Sequence, residues 1–144
     1  MKKYLMSFTI VMLSAMSSVW SQQLTVLIDS PNELVTMFIN RCAEKENYME
    51  LCSAQIDTEQ LQNTIQIYNN YAGNPMFTTS TRPQEIYKKI KGENSLLPEN
   101  HRIYIVDKVD RTNQRRPTSK GFYIVVSYDT LNETWLVAEF GVGN

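Results

Sequence analysis

The sequence predicts an α+β domain in which N-terminal helices pack on a curved antiparallel sheet, a meander of at least three strands. Two observations carry this prediction. Between residues 30 and 91, apolar side chains recur at helical spacing behind clear helix starts. After residue 100, the period changes to alternation, and β-branched and aromatic residues dominate.

The first helix has the strongest start signal in the chain. Ser30, Pro31 and Glu33 supply a capping residue, a proline at the first helical position and the glutamate of a capping box. One apolar face follows, made of Leu34, Val35, Phe38, Ile39 and Cys42. This spacing predicts a helix that buries one side.

Three further helices are expected before the sheet. A second helix is predicted from Asn47, and a third from Asp57 or Thr58 to a stop at Gly73. The stretch 76–81 is rich in threonine and could form a short strand. Pro83 then opens a short amphipathic helix that ends at Gly92.

Three alternating runs predict the strands of the meander, at residues 103–109, 122–128 and 135–142. The last two are joined by a tight connection at residues 129–133, and the first two by a long polar loop at residues 111–120. Each run has apolar residues on both sides. We therefore expect the helices to cover one sheet face, and the other face to be partly covered or to serve as a partner surface.

The N-terminus predicts export. Lys2 and Lys3 precede an apolar stretch, and Val19 and Ser21 fit the small-residue positions of a signal peptidase site. The run is shorter than the roughly 20 apolar residues that span a bilayer. We therefore predict a signal peptide at residues 1–21, cleavage after Ser21, and a single periplasmic or secreted domain at residues 22–144 with no membrane span.

The charge balance argues against nucleic acid as a partner. The chain has 14 Lys and Arg residues against 15 Asp and Glu, and removal of the two N-terminal lysines leaves a net charge of about −3. Nucleic-acid binding calls for a strongly basic face. The mature domain is therefore expected to bind neither nucleic acid nor anionic membranes.

Cys42 and Cys52 are the only cysteines, and an exported chain with an even pair predicts a disulfide. Along one continuous helix their Cα atoms would lie about 15 Å apart, whereas a disulfide needs less than about 7 Å. The prediction therefore requires a chain reversal at residues 44–47. A metal site is disfavoured, because a single histidine and no further cysteine leave the ligand shell incomplete. A redox pair is disfavoured as well, because it calls for the spacing C-x-x-C.

The long loop contains the clearest candidate binding residues. It forms a local basic patch in an otherwise acidic domain, made of Arg111, Arg115, Arg116 and Lys120. Its functional interpretation is a contact for an acidic partner or an anionic ligand; the alternative is a solvated hairpin loop. Long loops within a compact domain are uncommon and often functional.

Tyr104 and Tyr123 are further candidates, because they could share one face of neighbouring strands and tyrosine is enriched at interfaces. His101 is the only histidine, with Glu99 two residues away, and is expected to be an exposed loop residue. No catalytic motif, cofactor motif or phosphate-binding glycine loop is present. The sequence therefore favours a function other than catalysis, although two carboxylates of a small hydrolase could come from anywhere in the chain.

Three segments together carry a family resemblance: S-P-N-E-L-V-T-M-F-I-N from residue 30, K-E-N-Y-M-E-L-C-S from residue 45, and E-T-W-L-V-A-E-F from residue 133. In outline they resemble small secreted NTF2-like (cystatin-like) domains. The resemblance implies a cone-shaped fold with a pocket between helices and sheet. It implies no catalytic activity, because a fold does not fix a function. The helix near residues 58–72 and the loop at 111–120 depart from the pattern.

These observations lead to a first hypothesis and two alternatives. The first is an exported, non-enzymatic binding module of the periplasm or cell envelope that engages a protein partner, in one version as an immunity protein or inhibitor. The second is an NTF2-like carrier with a small-molecule ligand in a pocket between helices and sheet. A small hydrolase has the least support.

Overall fold

The computed structural model describes residues 27–109 and 121–143. Within them the chain is α+β, with helices preceding an antiparallel sheet of four strands in the order β1-β2-β3-β4. The helices are α1 (Pro31–Glu44), α2 (Thr58–Asn69) and α3 (Pro83–Lys91), with a 3-10 turn at Tyr48–Leu51. The strands are β1 (Asn74–Thr79), β2 (His101–Val109), β3 (Phe122–Asp129) and β4 (Thr134–Val142).

Both long helices begin where their capping residues predict. The Ser30 hydroxyl accepts from the backbone N–H of Glu33 at 3.4 Å, and the Asp57 carboxylate accepts from that of Gln60 at 3.0 Å. Helix α1 ends at Glu44, and its C-cap residue Lys45 has a left-handed φ of 55°, which turns the chain back. This residue provides the reversal between the two cysteines that the sequence analysis required.

Two elements differ from the expectation. The second predicted helix is only a four-residue 3-10 turn, because the reversal at Lys45 and the extended Cys52 leave it no room to continue. The stretch after α2 is a complete strand, β1, which pairs with β2 from Asn74↔Val109 to Thr79↔Tyr104. The meander therefore has four strands, and the segment predicted only to stop α2 also begins the sheet.

The core lies between α1, α2 and one face of the sheet, called here the inner face. Phe140 of β4 is at its centre, with its ring centroid 5.5 Å from that of Phe38 and 5.7 Å from that of Tyr68. Phe122 of β3 completes the cluster at 6.0 Å from Phe140. Edge-to-face and offset aromatic pairs of this kind add stability beyond the burial of their area.

The outer face of the sheet is partly covered, as the two-sided apolar strands predicted. A smaller cluster there joins strand residues to Leu97 and to the apolar side of α3; its sheet members are Ile103, Ile105, Tyr123, Val125 and Ala138. No residue of α3 is fully buried, so this helix covers the face without closing it.

Cys42 belongs to the inner core, Cys52 packs against it, and both are free thiols. Burial raises the pKa of Cys42 to about 12, with a further contribution from nearby Cys52, and raises the pKa of Cys52 to about 12. The Cys52 thiol lies 3.4 Å from the backbone oxygen of Tyr48. The predicted disulfide stays a prediction.

None of the helices in residues 27–109 and 121–143 combines the length and the apolar character needed to cross a bilayer. The predicted signal peptide, residues 1–21, lies outside the described residues. Export and cleavage after Ser21 therefore stay predictions.

Candidate binding site at the open sheet edge

The two edges of the sheet differ. Edge strand β4 is covered by backbone from earlier in the chain: Ser53 donates to the carbonyl of Val137 at 2.8 Å, and Trp135 donates to that of Ile28 at 3.0 Å. Edge strand β1 has no such cover among the described residues. An uncovered edge presents unpaired N–H and C=O groups, which another strand can pair with.

Among the usual devices that protect an edge, strand β1 has only a proline, Pro75. Its sequence, NPMFTT, contains no charged residue, and five of its six residues are exposed. Pro75 also indicates which backbone groups face outward, since a proline is tolerated where a strand's N–H would point away from its neighbour. By alternation, the N–H groups of Phe77 and Thr79 then point to the open side as well.

A half-open pocket of about 270 Å³ lies between α1 and the two strands at this edge. Three side chains of one face of α1 form its upper wall, and strands β1 and β2 form its floor. The lining residues are Asn32, Val35, Thr36, Phe77, Thr79 and Tyr104. The pocket and the open edge share Phe77 and Thr79, so they form one continuous site.

Tyr104 is the predicted candidate that the structure places in this pocket. The residue is 4 % exposed, and its hydroxyl donates to the side-chain oxygen of Asn32 at 2.5 Å. Burial raises the pKa of Tyr104, and the nearby Arg102 opposes this. The phenol is therefore neutral at physiological pH, and it fixes the position of the Asn32 amide.

Tyr123 lies on the opposite face, so the expectation that it shares a face with Tyr104 is wrong. In the observed register Tyr104 pairs with Ile124 and Tyr123 pairs with Ile105, and directly paired residues point to the same side. Tyr123 belongs to the outer cluster beneath α3. The two tyrosines are adjacent in the sheet but separated by its thickness.

On the outer face Tyr123 is part of a polar network. Its hydroxyl donates to the Glu139 carboxylate at 2.6 Å, and Lys91 pairs with the same carboxylate oxygen. The side-chain nitrogen of Gln60 donates to the Tyr123 hydroxyl and to that Glu139 oxygen, each at 3.3 Å. Burial and the Glu139 carboxylate raise the pKa of Tyr123. Burial lowers the pKa of Lys91, but Glu139 raises it overall. The network joins α2, α3 and the sheet, and its polar groups bind one another.

The predicted basic patch, Arg111, Arg115, Arg116 and Lys120, lies outside the described residues. The structure does describe where the chain enters and leaves this loop. Val109 pairs with Asn74 at the start of β1, and Gly121 precedes Phe122 of β3. The loop is therefore anchored at the end of the sheet where β1 begins, and the pocket lies at the end where β1 stops.

His101 is not the exposed loop residue expected from the sequence. It is the first residue of β2, it is half-buried, and burial lowers its pKa. Its ring nitrogen Nδ1 lies 2.8 Å from the side-chain oxygen of Asn100, while Glu99 contributes its backbone oxygen to Arg102. Within the described residues His101 therefore has no carboxylate partner for acid–base chemistry.

The described lining of the pocket is neutral. Tyr104 is its only titratable lining residue, so the described walls contain no carboxylate, histidine or cysteine. Across residues 27–109 and 121–143, no group of three potential metal ligands is found. Two larger depressions, beside the ends of α1 and α2 and along α3, are more open to solvent and lie away from the free edge.

The sequence analysis missed Asn32, Phe77 and Thr79. Asn32 lies within the helix-capping motif Ser30–Glu33, and its type gave no sign of a role beyond the first turn. Phe77 and Thr79 are in a stretch interpreted only as a potential short strand. The register of β1 against β2 brings them beside Tyr104, and that pairing was not visible in the pattern.

No protein family, curated protein or solved structure matches this chain in the comparisons. The NTF2-like resemblance therefore rests on the residues alone.

Proposed function

We propose that this chain is an exported, non-enzymatic binding module of the periplasm or cell envelope that captures an extended segment of a protein partner along β1. An immunity protein or inhibitor is one version of such a module. The observation that carries the proposal is the asymmetry of the sheet within residues 27–109 and 121–143: there β4 is covered by backbone, whereas the uncharged β1 is open beside a pocket.

Strand addition explains why the pocket and the edge occur together. A segment paired with β1 would use main-chain hydrogen bonds for affinity, and alternate side chains would point to the α1 side. Phe77 and Thr79 mark that side, because they line the pocket below α1. The pocket then selects one side chain of the bound segment, as in other modules that recognise extended peptides.

The test uses a displayed library of 12-residue peptides as the probe, with affinities measured for the selected peptides. Thr79→Pro removes one outward N–H and should lower affinity about tenfold, the value of one hydrogen bond. Thr79→Val is the matched control, because it keeps the N–H and the branched shape, and it should stay within about threefold of wild type.

Thermal unfolding of both variants shows whether the β1–β2 pairing is intact. Thr79→Pro should unfold within a few degrees of Thr79→Val, because the removed N–H points away from β2. Equal peptide affinities for two folded variants would contradict strand addition at β1.

The basic loop supplies a second contact in this proposal. The loop that contains Arg115 and Arg116 leaves β2 after Val109, which pairs with Asn74, and its proposed counterpart is an acidic residue of the bound segment. Arg115→Glu/Arg116→Glu should weaken binding of acidic peptides by about tenfold, mostly through slower association, and added salt should reduce the difference. Unchanged binding of acidic peptides by this double variant at low salt would show that the loop does not contact the bound segment.

A small-ligand carrier is the second candidate, and the pocket between α1 and the sheet favours it. This is the place where the NTF2-like resemblance implies a ligand. At about 270 Å³ the pocket is just below the range of about 300–1,000 Å³ typical of small-molecule sites. A small molecule that co-purifies with the wild-type protein, but not with a variant in which a larger side chain at Thr36 fills the pocket, would support this function.

A further inference from the structure

We infer that the α1–β1 pocket recognises a carboxamide, the side-chain group of asparagine or glutamine. This inference rests on the proposed function for its biological setting, since it names the residue type that the bound segment places in the pocket. Its evidence is the set of side chains that line the pocket and the hydrogen bonds between them.

The lining excludes charged groups. Val35 and Phe77 supply apolar walls, the remaining lining residues are neutral and polar, and none of the six is charged. A charge that enters such a site loses part of its hydration without gaining a counter-charge, which is strongly unfavourable. Ammonium, guanidinium and carboxylate groups are therefore disfavoured relative to a neutral polar group of the same size.

The hydrogen bonds within the pocket leave both a donor and an acceptor of its lining residues unpaired. Tyr104 donates to Asn32 Oδ1 at 2.5 Å, and Thr36 donates to the backbone oxygen of Asn32 at 3.0 Å. The amide nitrogen Nδ2 of Asn32 and the lone pairs of the Tyr104 oxygen then have no partner within the described residues. The free groups are N–H donors beside an oxygen acceptor.

A carboxamide matches this arrangement with both of its ends. Its oxygen accepts from Asn32 Nδ2, and its nitrogen donates to the Tyr104 oxygen. A ketone accepts from Asn32 Nδ2 but has no donor for the Tyr104 oxygen, and an alcohol must serve both groups through a single oxygen atom. Tyr104 is buried and fixed by its bond to Asn32, so the pair is held in place before a ligand arrives.

The experiment uses four small side-chain analogues as probes: propionamide, 2-butanone, propionate and propylammonium. Binding is followed by NMR chemical-shift titration of the backbone amides of residue 32, Phe77 and Thr79, which line the pocket and are retained in both variants described below. Propionamide should bind at least threefold more tightly than 2-butanone and at least tenfold more tightly than either ion. Equal binding of propionate or propylammonium, or no binding of propionamide at molar concentration, would overturn the inference.

Asn32→Asp is the sharpest variant, because it keeps the shape and the oxygen that accepts from Tyr104 but replaces the N–H donors by a charged oxygen. An acidic residue in the first turn of a helix is favourable, so the variant should fold. Its preference should reverse, with propylammonium binding at least tenfold more tightly than propionamide. Tyr104→Phe is the second variant, and it should reduce the advantage of propionamide over 2-butanone. An unchanged preference in both variants would overturn the inference.

These probes are too small to pair with a strand, so their binding is independent of the open edge. Carboxamide selectivity together with unchanged peptide affinity in Thr79→Pro would support the pocket inference and contradict strand addition at β1. Reduced peptide affinity in Thr79→Pro without carboxamide selectivity would support strand addition and overturn the carboxamide inference.

Discussion

Gly141→Ala is expected to destabilise the fold by about 2–4 kcal/mol through overpacking and loss of a buried hydrogen bond. Gly141 pairs with Tyr123 across β3 and β4, and a Cβ at this position would lie 2.5 Å from the ring carbon Cζ and the hydroxyl of Tyr123. Tyr123 is 3 % exposed and bound to Glu139, so it has little freedom to move aside. Chemical denaturation of the variant measures the loss.

A double-mutant cycle identifies the clash as the cause. In a Tyr123→Leu background the obstructing atoms are gone, so Gly141→Ala should cost much less than in wild type, and the difference is the coupling energy of the pair. Gly121→Ala is the matched control, because the nearest contact of its added Cβ is Asp107 at 3.9 Å. A Gly141→Ala loss no larger than that of Gly121→Ala would contradict the observed position of Tyr123.

The reduced protein is expected to lose stability steeply in alkali. Cys42 and Cys52 have pKa values of about 12 in the folded chain, raised from 9.0, because their thiolates are costly to bury. A raised folded pKa means that the stabilisation is complete below pH 9 and lost as pH rises toward 12. Each thiol contributes about 1.4 kcal/mol per pH unit, and both together roughly 2–5 kcal/mol between pH 9 and 11.

Two controls isolate the thiols in this measurement. Tyr68 also has a folded pKa of about 12, from burial and nearby Cys42, so tyrosine ionisation adds a loss that begins about one pH unit higher. Cys42→Ala/Cys52→Ala should keep only that later loss, and so should protein oxidised to a Cys42–Cys52 disulfide. A reduced protein whose free energy of unfolding is flat from pH 9 to 10 would contradict the burial of both thiols.

The same titration bears on the predicted disulfide. Because the thiolate is the reactive form, thiols with a pKa of about 12 react slowly while the fold is intact. If the pair is oxidised during export, oxidation is therefore expected before the core closes. Protein purified from its native compartment would then have the mass of the oxidised chain and no reaction with thiol reagents after unfolding.

Local signals made most of the helices and strands predictable. Ser30 and Asp57 are capping residues whose hydrogen bonds depend only on neighbours three positions away, so their helices start as predicted. The 3-10 turn at Tyr48–Leu51 was mispredicted as a helix, because its length is limited by the Lys45 reversal and the contact of Cys52 with β4. Those are long-range constraints that periodicity does not contain.

The candidate binding site was only partly predictable, for the same reason. Tyr104 was a candidate by residue type, but its partner Asn32 is 72 residues away in the sequence and meets it only in the folded chain. The supposed partnership with Tyr123 was wrong because neighbouring strands fix register through backbone pairing, which the alternating pattern of each strand alone does not specify.

Hydrogen–deuterium exchange of the β1 amides tests the central claim most directly. The protein would be measured alone and saturated with a peptide selected from the display library. Strand addition predicts that the outward amides of Phe77 and Thr79 exchange rapidly in the free protein and become protected in the complex, while Trp135 on the covered edge is unchanged. Unchanged exchange at Phe77 and Thr79, with new protection along α3 on the outer face, would contradict the account and place the partner elsewhere.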